Sequence, residues 1–235
     1  MTAIEPWSTE PGIYAAFAEE SFSWHNIERP SLYSLLIEFV NETTVALDLG
    51  CGAGRVLGLL SVLGVPDTQL YAIDNDCSIL TTAQKCHPCV NFIEHDLSVF
   101  PYPQIKEAPT LVTAHHVFQF LPSETLTKCL DELKNFLAPN ARLLIGLPHP
   151  VRVSTMANAP YFHRRRVEVP TSWGSGTISC ITRTVADYLN MIISAGYSIT
   201  RVDEPEVVDE GQRHPDAVAY SVGPSRLIIL ATLAY

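Results

Sequence analysis

Short apolar runs alternate with segments of helical periodicity along most of the chain. The apolar runs have the length and composition of buried strands, and most are followed by a segment with apolar residues three or four positions apart. Predicted strands cover residues 45–49, 70–73, 90–94, 110–114 and 142–147. Predicted helices begin near Pro30, Arg55, Ser78, Ser123 and Thr184; the first extends to Val40, and the last turns Tyr188, Leu189, Ile192 and Ile193 inward. Such alternation is typical of a mostly parallel sheet with helices on both faces.

Two further predicted strands end the chain. Residues 197–202 and 226–233 have strand composition, and only the loop 203–225, without a full helix, lies between them. Because parallel neighbours usually need a helical crossover, we expect this last pair to be antiparallel. The sequence therefore predicts an α/β fold, namely a Rossmann-like seven-stranded, mostly parallel sheet with an antiparallel last strand.

One long segment interrupts the alternation. Residues 149–183 contain prolines, glycines, aromatic residues and the run Arg164–Arg166. Connections of this length are usually lids or binding loops, so we expect loops or short hairpins that cover the carboxyl ends of the strands as a substrate lid. Residues 1–44 are interpreted as an N-terminal helical cap, and residues 1–235 as a single domain.

Composition and charge narrow the functional classes. The 235 residues are 47% hydrophobic and carry a net charge of −10, which disfavours a general electrostatic grip on nucleic acid or on a membrane surface. The chain has neither an apolar run of about 20 residues nor a basic segment leading into an apolar one at its start. Six scattered cysteines fit a reducing compartment, and Cys86–Cys89 lacks the second pair that a zinc site needs. We expect a cytoplasmic protein that is a monomer or a homodimer.

A glycine-rich turn follows the first predicted strand, and acidic residues end the first three strands. The turn runs from Asp48 to Gly54, and Asp74 and Asp96 follow the second and third strands. Glycines let a ligand approach the backbone, and an acidic residue at the end of the second strand can accept the hydroxyls of a ribose. A dinucleotide fingerprint is incomplete because Arg55 stands at the third glycine position, and the carboxylates would repel a pyrophosphate. The pattern favours a cationic, phosphate-free nucleoside, S-adenosylmethionine.

These segments resemble the class I S-adenosylmethionine-dependent methyltransferases of the small-molecule branch. The resemblance rests on residues 45–55, 71–74, 94–97, 137–144 and 195–200. It implies that the glycine turn holds the methionine part of the cofactor, that Asp74 holds the ribose, and that Asp96 meets the adenine. It departs from the family at Thr110, where many members have an acidic residue. The predicted cofactor-binding residues are Asp48, Gly50, Cys51, Gly52, Gly54, Asp74, Asn75, Asp96, Leu97 and His115.

Histidines are the candidate catalytic residues. Methyl transfer requires alignment and exclusion of water, and a hydroxyl acceptor benefits from a base that titrates near neutral pH. His115 and His116 end the fourth strand, and the residues just after this strand face the transferring methyl group in the family that the sequence resembles. His116 or His115 is therefore the first candidate for the base, and His149, after the fifth strand, is the second. No acidic residue lies between Thr110 and Leu121, so the chain lacks the metal ligands that catechol-type enzymes carry there. We expect a reaction without a metal.

Aromatic residues around the predicted cleft favour a small apolar or aromatic acceptor. The predicted substrate-binding residues are Trp24, His25, Phe118, Tyr161 and Trp173. The run Arg164–Arg166 could meet an acidic acceptor, although a solvated run is favoured. The predicted function is methyl transfer to oxygen or nitrogen of a small metabolite, for example in secondary metabolism. The alternatives are a cyclase that uses the sulfonium only as a fixed charge and a non-catalytic S-adenosylmethionine-binding partner.

Overall fold

Seven strands form one mixed sheet in the computed structural model, which describes residues 11–173 and 176–233. The strands are β1 (Ala46–Leu49), β2 (Leu70–Asp74), β3 (Asn91–Glu94), β4 (Leu111–His115), β5 (Arg142–Pro148), β8 (Tyr197–Asp203) and β9 (Arg226–Leu233), in the order β3-β2-β1-β4-β5-β9-β8. The first five are parallel, and β9 runs antiparallel to both β5 and β8. The predicted Rossmann-like fold is confirmed, including its antiparallel last strand.

Helices cover the sheet largely where the periodicity predicts them. They are α1 (Pro11–Glu20), α2 (Arg29–Leu36), α3 (Arg55–Val62), α4 (Cys77–Cys86), α5 (Ser123–Leu133), α6 (Pro150–Met156), α7 (Val185–Ser194) and α8 (Ala217–Ser221), with a π-helical turn at Trp24–Glu28 and 3₁₀ turns at Asp67–Gln69 and Asp209–Gly211. Helix α2 ends at Leu36, short of the predicted Val40. Ile193 was predicted to face inward, which is wrong: 55% of it is exposed, and Tyr188 and Ile192 alone of helix α7 are fully buried.

The core consists of two apolar layers, one on each face of the sheet. Along β1, Leu47 and Leu49 belong to the layer that contains α5 and α7, whereas Ala46 belongs to the layer that contains α2 and α3. This alternation follows from the period of two in a strand. Both faces of the sheet are therefore covered by packed helices, and its carboxyl edge presents the loops that follow β1 and β4.

The lid segment contains a helix and a hairpin. Helix α6 is followed by β6 (Arg166–Pro170) and β7 (Thr177–Ile181), which pair antiparallel and share a small apolar cluster with α6. The hairpin agrees with the prediction, and α6 was not foreseen. Trp173, between the two strands of the hairpin, packs against α1: its ring centroid lies 5.1 Å from that of Tyr14 and 5.2 Å from that of Phe17. The lid and the N-terminal helix therefore meet over the carboxyl edge of the sheet.

Candidate active site

The glycine turn after β1 adopts a backbone that favours glycine. Gly50, Gly52 and Gly54 have φ values of 62°, 55° and 93°, in the region that residues with a Cβ rarely adopt. A Cβ at Gly50 would also lie 2.5 Å from Cγ2 of Val117. The Cys51 amide donates to the Ile73 carbonyl at 3.0 Å, which ties the turn to the end of β2. The turn is thus a fixed, open cradle of backbone.

Asp74 organises the cradle from the end of β2. Its Oδ2 accepts a hydrogen bond from the Gly52 amide at 2.9 Å, and its Oδ1 accepts one from the Asp76 amide at 3.0 Å. Burial raises the pKa of Asp74, although these backbone hydrogen bonds oppose the rise. Each carboxylate oxygen has two lone pairs, so the carboxylate can accept further donors such as two ribose hydroxyls.

Asp48 has a different role from Asp74. It is buried within β1, and its Oδ1 accepts a hydrogen bond from the Thr113 hydroxyl of neighbouring β4 at 2.6 Å. Burial raises the pKa of Asp48 to about 7. Its carboxyl group therefore joins two central strands immediately before the glycine turn.

The remaining predicted cofactor residues lie on the other side of the turn. Asp96 is exposed, and its Oδ1 accepts a hydrogen bond from the Ser98 amide at 2.8 Å. Asn75 is exposed at the end of β2, whereas Leu97 is buried against the core. This arrangement leaves the polar ends of Asp96 and Asn75 accessible beside the cradle.

A buried charge cluster lies at the end of β4, and Glu28 of the π-helical turn is at its centre. Glu28 Oε1 accepts a hydrogen bond from Nε of Arg226 at 2.7 Å, and Oε2 lies 3.6 Å from Nη2 of Arg55. The Nε2 atoms of His115 and His116 lie 3.1 and 3.0 Å from the same Oε2. Both imidazole contacts are within ion-pair distance. Glu28 Oε2 and His116 Nε2 have no hydrogen-bond partner in the described part of the chain.

The cluster fixes the protonation states of its members. Burial alone would raise the pKa of Glu28, but Arg226, His116 and Arg55 hold it well below its usual range. Burial lowers the pKa of His115 to about 3 and that of His116 to about 4, and the nearby Glu28 only partly opposes this. At neutral pH the cluster therefore contains an ionised Glu28, two charged arginines and two neutral imidazoles.

His116 is held by its backbone as well as by its side chain. It has a φ of 59°, unusual for a residue with a Cβ. Its amide donates to the Gly146 carbonyl at 2.8 Å, and its carbonyl accepts from Nε2 of Gln119 at 2.7 Å. Such backbone strain is often found at functional sites.

A cavity of about 110 Å³ opens between the charge cluster, α1 and the lid. Tyr14, Phe17 and Trp173 supply aromatic walls. Tyr14 links the cavity to the cradle, because its hydroxyl oxygen lies 3.1 Å from the point where a Cβ of Gly52 would stand. Besides Glu28 and His116, the buried Gln119 Oε1 and Trp173 Nε1 atoms lack hydrogen-bond partners among the described residues. A polar ligand in the cavity could form hydrogen bonds with these unsatisfied groups.

The structure brings some predicted residues to this cavity and not others. His116 and Trp173 line it, and His115 lies directly behind it in the charge cluster. Trp24 is buried beneath the cluster, with the Arg55 guanidinium 5.0 Å from its ring centroid. It therefore supports the site from below.

Four other predicted residues do not line this cavity. His25 is exposed to solvent, and Phe118 is buried in the core, so neither side chain faces the cavity. The Tyr161 hydroxyl accepts a hydrogen bond from the Val185 amide at 2.9 Å and lies by a separate depression. The catalytic candidate His149 has both ring nitrogens engaged: Nε2 contacts Oε1 of Glu204 at 2.8 Å, and Nδ1 accepts from the Val151 amide at 3.1 Å. His149 caps α6 and does not line the cavity.

The arginine run is a solvated feature of the lid. Arg164, Arg165 and Arg166 are all exposed, and none of them lines the cavity. Arg164 forms two hydrogen bonds to Asp187 at 2.9 and 2.8 Å.

Glu28 and Arg226, which are 198 positions apart in the chain, were not predicted from the sequence. The signal for Glu28 was present. Trp24, Ile27, Glu28 and Leu32 share one buried helical face, and a carboxylate on an apolar face requires a buried partner. Nothing in the local pattern of β9 marks Arg226, because its role depends on tertiary contact with the π-helical turn.

Comparisons with known proteins agree with this geometry. Residues 46–140 match the model of a methyltransferase domain family. A trans-aconitate 2-methyltransferase from Rhodopseudomonas palustris is 30% identical over 142 residues, which cover 60% of this chain and 50% of that enzyme. The chain thus spans about half the length of this relative.

Solved structures share the fold over nearly the whole chain. An S-adenosylmethionine-dependent methyltransferase from Mesorhizobium loti superposes with a TM-score of 0.68 at 20% identity, covering 91% of this chain and 98% of that one. A glycopeptide N-methyltransferase complexed with S-adenosylmethionine gives a TM-score of 0.60 at 12% identity, covering 87% and 93%. In the ranges 11–173 and 176–233, no helix has both the length and the apolarity to span a membrane. The fold and the glycine cradle agree with these matches: residues 46–140 match a methyltransferase domain family, and the chain shares the fold of solved S-adenosylmethionine-dependent methyltransferases.

Proposed function

We propose that this chain transfers a methyl group to an oxygen or nitrogen atom of a small organic metabolite, without a metal ion. The observation that carries the proposal is the pairing of Glu28 Oε2 and His116 Nε2. Both atoms are buried beside a cavity whose Tyr14 wall also lies against Gly52 of the glycine cradle, and neither has a further hydrogen-bond partner among the described residues.

The cradle residues fit the cofactor. When bound, S-adenosylmethionine supplies an electrophilic methyl group, whose carbon–sulfur bond breaks as the acceptor's lone pair bonds to the carbon. We assign Asp74 to the ribose hydroxyls and the turn Gly50–Gly54, with Cys51 and Gly52, to the methionine part. Asn75, Asp96 and Leu97 would flank the adenine, and His115 and Asp48 would hold the strand ends behind the cradle.

His116 would take the proton that an O–H or N–H acceptor loses. Its imidazole is neutral at pH 7, and Glu28 lies 3.0 Å from Nε2, so Nε2 would carry the ring proton toward this carboxylate and Nδ1 would accept the proton of the acceptor. The ionised Glu28 would stabilise the resulting imidazolium. Such a pair resembles the histidine–carboxylate arrangement used to stabilise transient imidazolium ions. The low pKa of the resting imidazole favours return of the proton to solvent after each turnover.

The cavity favours a small acceptor with an apolar or aromatic part. Tyr14, Phe17 and Trp173 offer ring faces and edges. Residues 149–183, with the hairpin β6–β7, would act as the substrate lid and residues 1–44 as the cap, so that closure excludes water from the reacting atoms. Residues 1–10 and 174–175 of these segments lie outside the described part of the chain. The relative from Rhodopseudomonas palustris is named for a small acid, trans-aconitate, which is compatible with a metabolite acceptor.

The positive charge around Glu28 supports a reaction that uses no metal ion. Glu28, His115 and His116 offer three ligand atoms close enough together to hold a cation. Two guanidinium groups already contact this carboxylate, with nitrogen–oxygen distances of 2.7 and 3.6 Å. A divalent cation at this point would be repelled by both of them.

The proposed setting is the cytoplasm, and the proposed substrate is not a nucleic acid. The net charge of −10 and six free cysteines, three of them exposed, support this.

The test is product analysis by mass spectrometry with S-adenosylmethionine and a panel of phenols, amines and carboxylic acids. A methylated product supports methyl transfer. A product with the mass of its substrate would identify a cyclase, and no product despite cofactor binding would identify a binding partner.

A variant pair tests the base. His116→Gln should lower kcat for a hydroxyl acceptor by roughly 10²- to 10⁴-fold while leaving S-adenosylhomocysteine affinity unchanged. The matched control is His163→Gln, which replaces an exposed histidine outside the cavity. Full kcat in His116→Gln would show that His116 is not the base.

A further inference from the structure

The cavity carries an excess of positive charge. Three arginines line it, Arg55, Arg152 and Arg226, whereas Glu28 is its only carboxylate among the described residues. Because His116 is neutral at pH 7, the lining has a net charge of +2. Burying such an excess is unfavourable unless an anion compensates for it.

Arg152 and Arg226 form the uncompensated part. Glu28 contacts both Arg55 and Arg226, but Arg152 forms no ion pair in the described part of the chain. Its Nη1 donates to the Ala219 carbonyl at 3.0 Å, which leaves further donors of the guanidinium group available.

The two guanidinium groups are brought together by one aromatic ring. Their Cζ atoms lie 4.5 Å (Arg152) and 5.5 Å (Arg226) from the ring centroid of Tyr220. Burial and repulsion by Arg226 both lower the pKa of Arg152. Two guanidinium groups that line one cavity and contact one ring can bind an anion, and their planar shape suits the two oxygens of a carboxylate.

We propose that the methyl acceptor carries a carboxylate, and that Arg152 and Arg226 bind it at the lid side of the cavity. This rests on the proposed function and adds the chemical class of its substrate. The apolar side chains of Val153, Met156 and Ile178 line the same cavity and would contact the organic body of the acid. The carboxylate then anchors the acceptor, with its reacting atom toward His116.

Anion binding is measured by calorimetry on protein saturated with S-adenosylhomocysteine. The probes are trans-aconitate and phenylacetate, with phenylacetamide as the neutral isostere and inorganic phosphate as a second anion. At least one carboxylate should bind, and phenylacetamide should not bind detectably. Binding of neither carboxylate, or equal binding of phosphate, would overturn the proposal.

Two substitutions of equal charge change separate the site from the rest of the lid. Arg152→Gln should weaken carboxylate binding by roughly 10- to 100-fold, the usual effect of losing a charge-assisted hydrogen bond at a partly buried site. Arg166→Gln removes an exposed arginine of the same lid and should leave binding unchanged. Arg152→Lys keeps the charge without the planar fork and should recover part of the affinity. Equal losses in Arg152→Gln and Arg166→Gln would contradict a local site.

The cofactor also has a carboxylate, so its binding is measured separately. Arg152→Gln should bind S-adenosylhomocysteine and 5′-methylthioadenosine, which lacks the amino acid part, as tightly as the wild type. A loss confined to S-adenosylhomocysteine would assign the arginine to the cofactor and overturn the proposal. Carboxylate binding without any methylated product would instead refute the proposed function while retaining the anion site.

Discussion

The buried carboxylate of Glu28 allows a quantitative prediction. The substitution Glu28→Gln keeps the shape of the side chain and one oxygen for Arg226, but it removes the negative charge between two guanidinium groups. Glu28 is 1% exposed, so solvent cannot replace the lost charge. Removing one partner of a buried ion pair typically costs about 3–5 kcal/mol. Because the amide oxygen can still accept from Arg226, we expect the lower end, about 3 kcal/mol.

The assay is urea and thermal unfolding at pH 7 in the absence of ligands. For a chain of this size, a loss of about 3 kcal/mol corresponds to a fall in Tm of roughly 6–12 °C. The matched control is Glu168→Gln, an exposed glutamate that accepts a hydrogen bond from the Thr177 hydroxyl at 3.1 Å. The control should remain within about 0.5 kcal/mol of the wild type.

The pH dependence follows from the direction of the pKa shift. The folded-state pKa of Glu28 lies below its unfolded value, so its carboxylate contributes full stability above about pH 5. This contribution is lost as the pH falls through the folded-state pKa. The difference between wild type and Glu28→Gln should therefore be constant from pH 5 to 8 and shrink in acid. A Glu28→Gln protein as stable as the wild type at pH 7 would refute the charge argument.

Three further predictions concern the sheet, the cradle and metal ions. Burial raises the pKa of Asp48 to about 7, so the free energy of unfolding should fall as the pH rises from about 4 to 7 and this carboxyl group ionises in the unfolded chain but not in the folded protein. Asp48→Asn should remove this pH dependence and raise the free energy of unfolding at pH 8, measured by urea unfolding. Gly50→Ala should be less stable than Gly64→Ala by about 1–3 kcal/mol, since both glycines have positive φ but only a Cβ at Gly50 would meet Val117; equal losses would contradict this. Treatment with EDTA should leave the methylation rate unchanged, and a loss restored by a divalent cation would contradict metal independence.

Local sequence patterns predict the sheet well because its strands are short, apolar and bounded by turn residues. All seven strands of the sheet occur where the pattern indicates them. The glycine turn was equally predictable from the sequence, because the turn itself requires positive φ values at Gly50, Gly52 and Gly54. Helix α6 was missed because its proline and short length resemble a loop.

The acceptor side of the site could not be predicted from local patterns. His149 and His116 both follow strands, and only tertiary contacts distinguish them: His149 is engaged by Glu204 and the Val151 amide, whereas His116 faces the cavity. The cavity arginines lie far apart in the chain, on α6 and β9. The only visible arginine cluster in the sequence is solvated.

The most direct test of the account is a calorimetric titration of S-adenosylhomocysteine into wild-type protein and Asp74→Asn. The control is Asp67→Asn, whose side chain accepts a hydrogen bond from Ser61 at 2.7 Å, remote from the glycine cradle. We predict binding to one site in the wild type and in the control, and affinity at least about tenfold lower in Asp74→Asn, because a charge-assisted hydrogen bond to a ribose hydroxyl is lost. Absence of binding to the wild type, or equal affinity in Asp74→Asn, would contradict the assignment of the cradle to the cofactor.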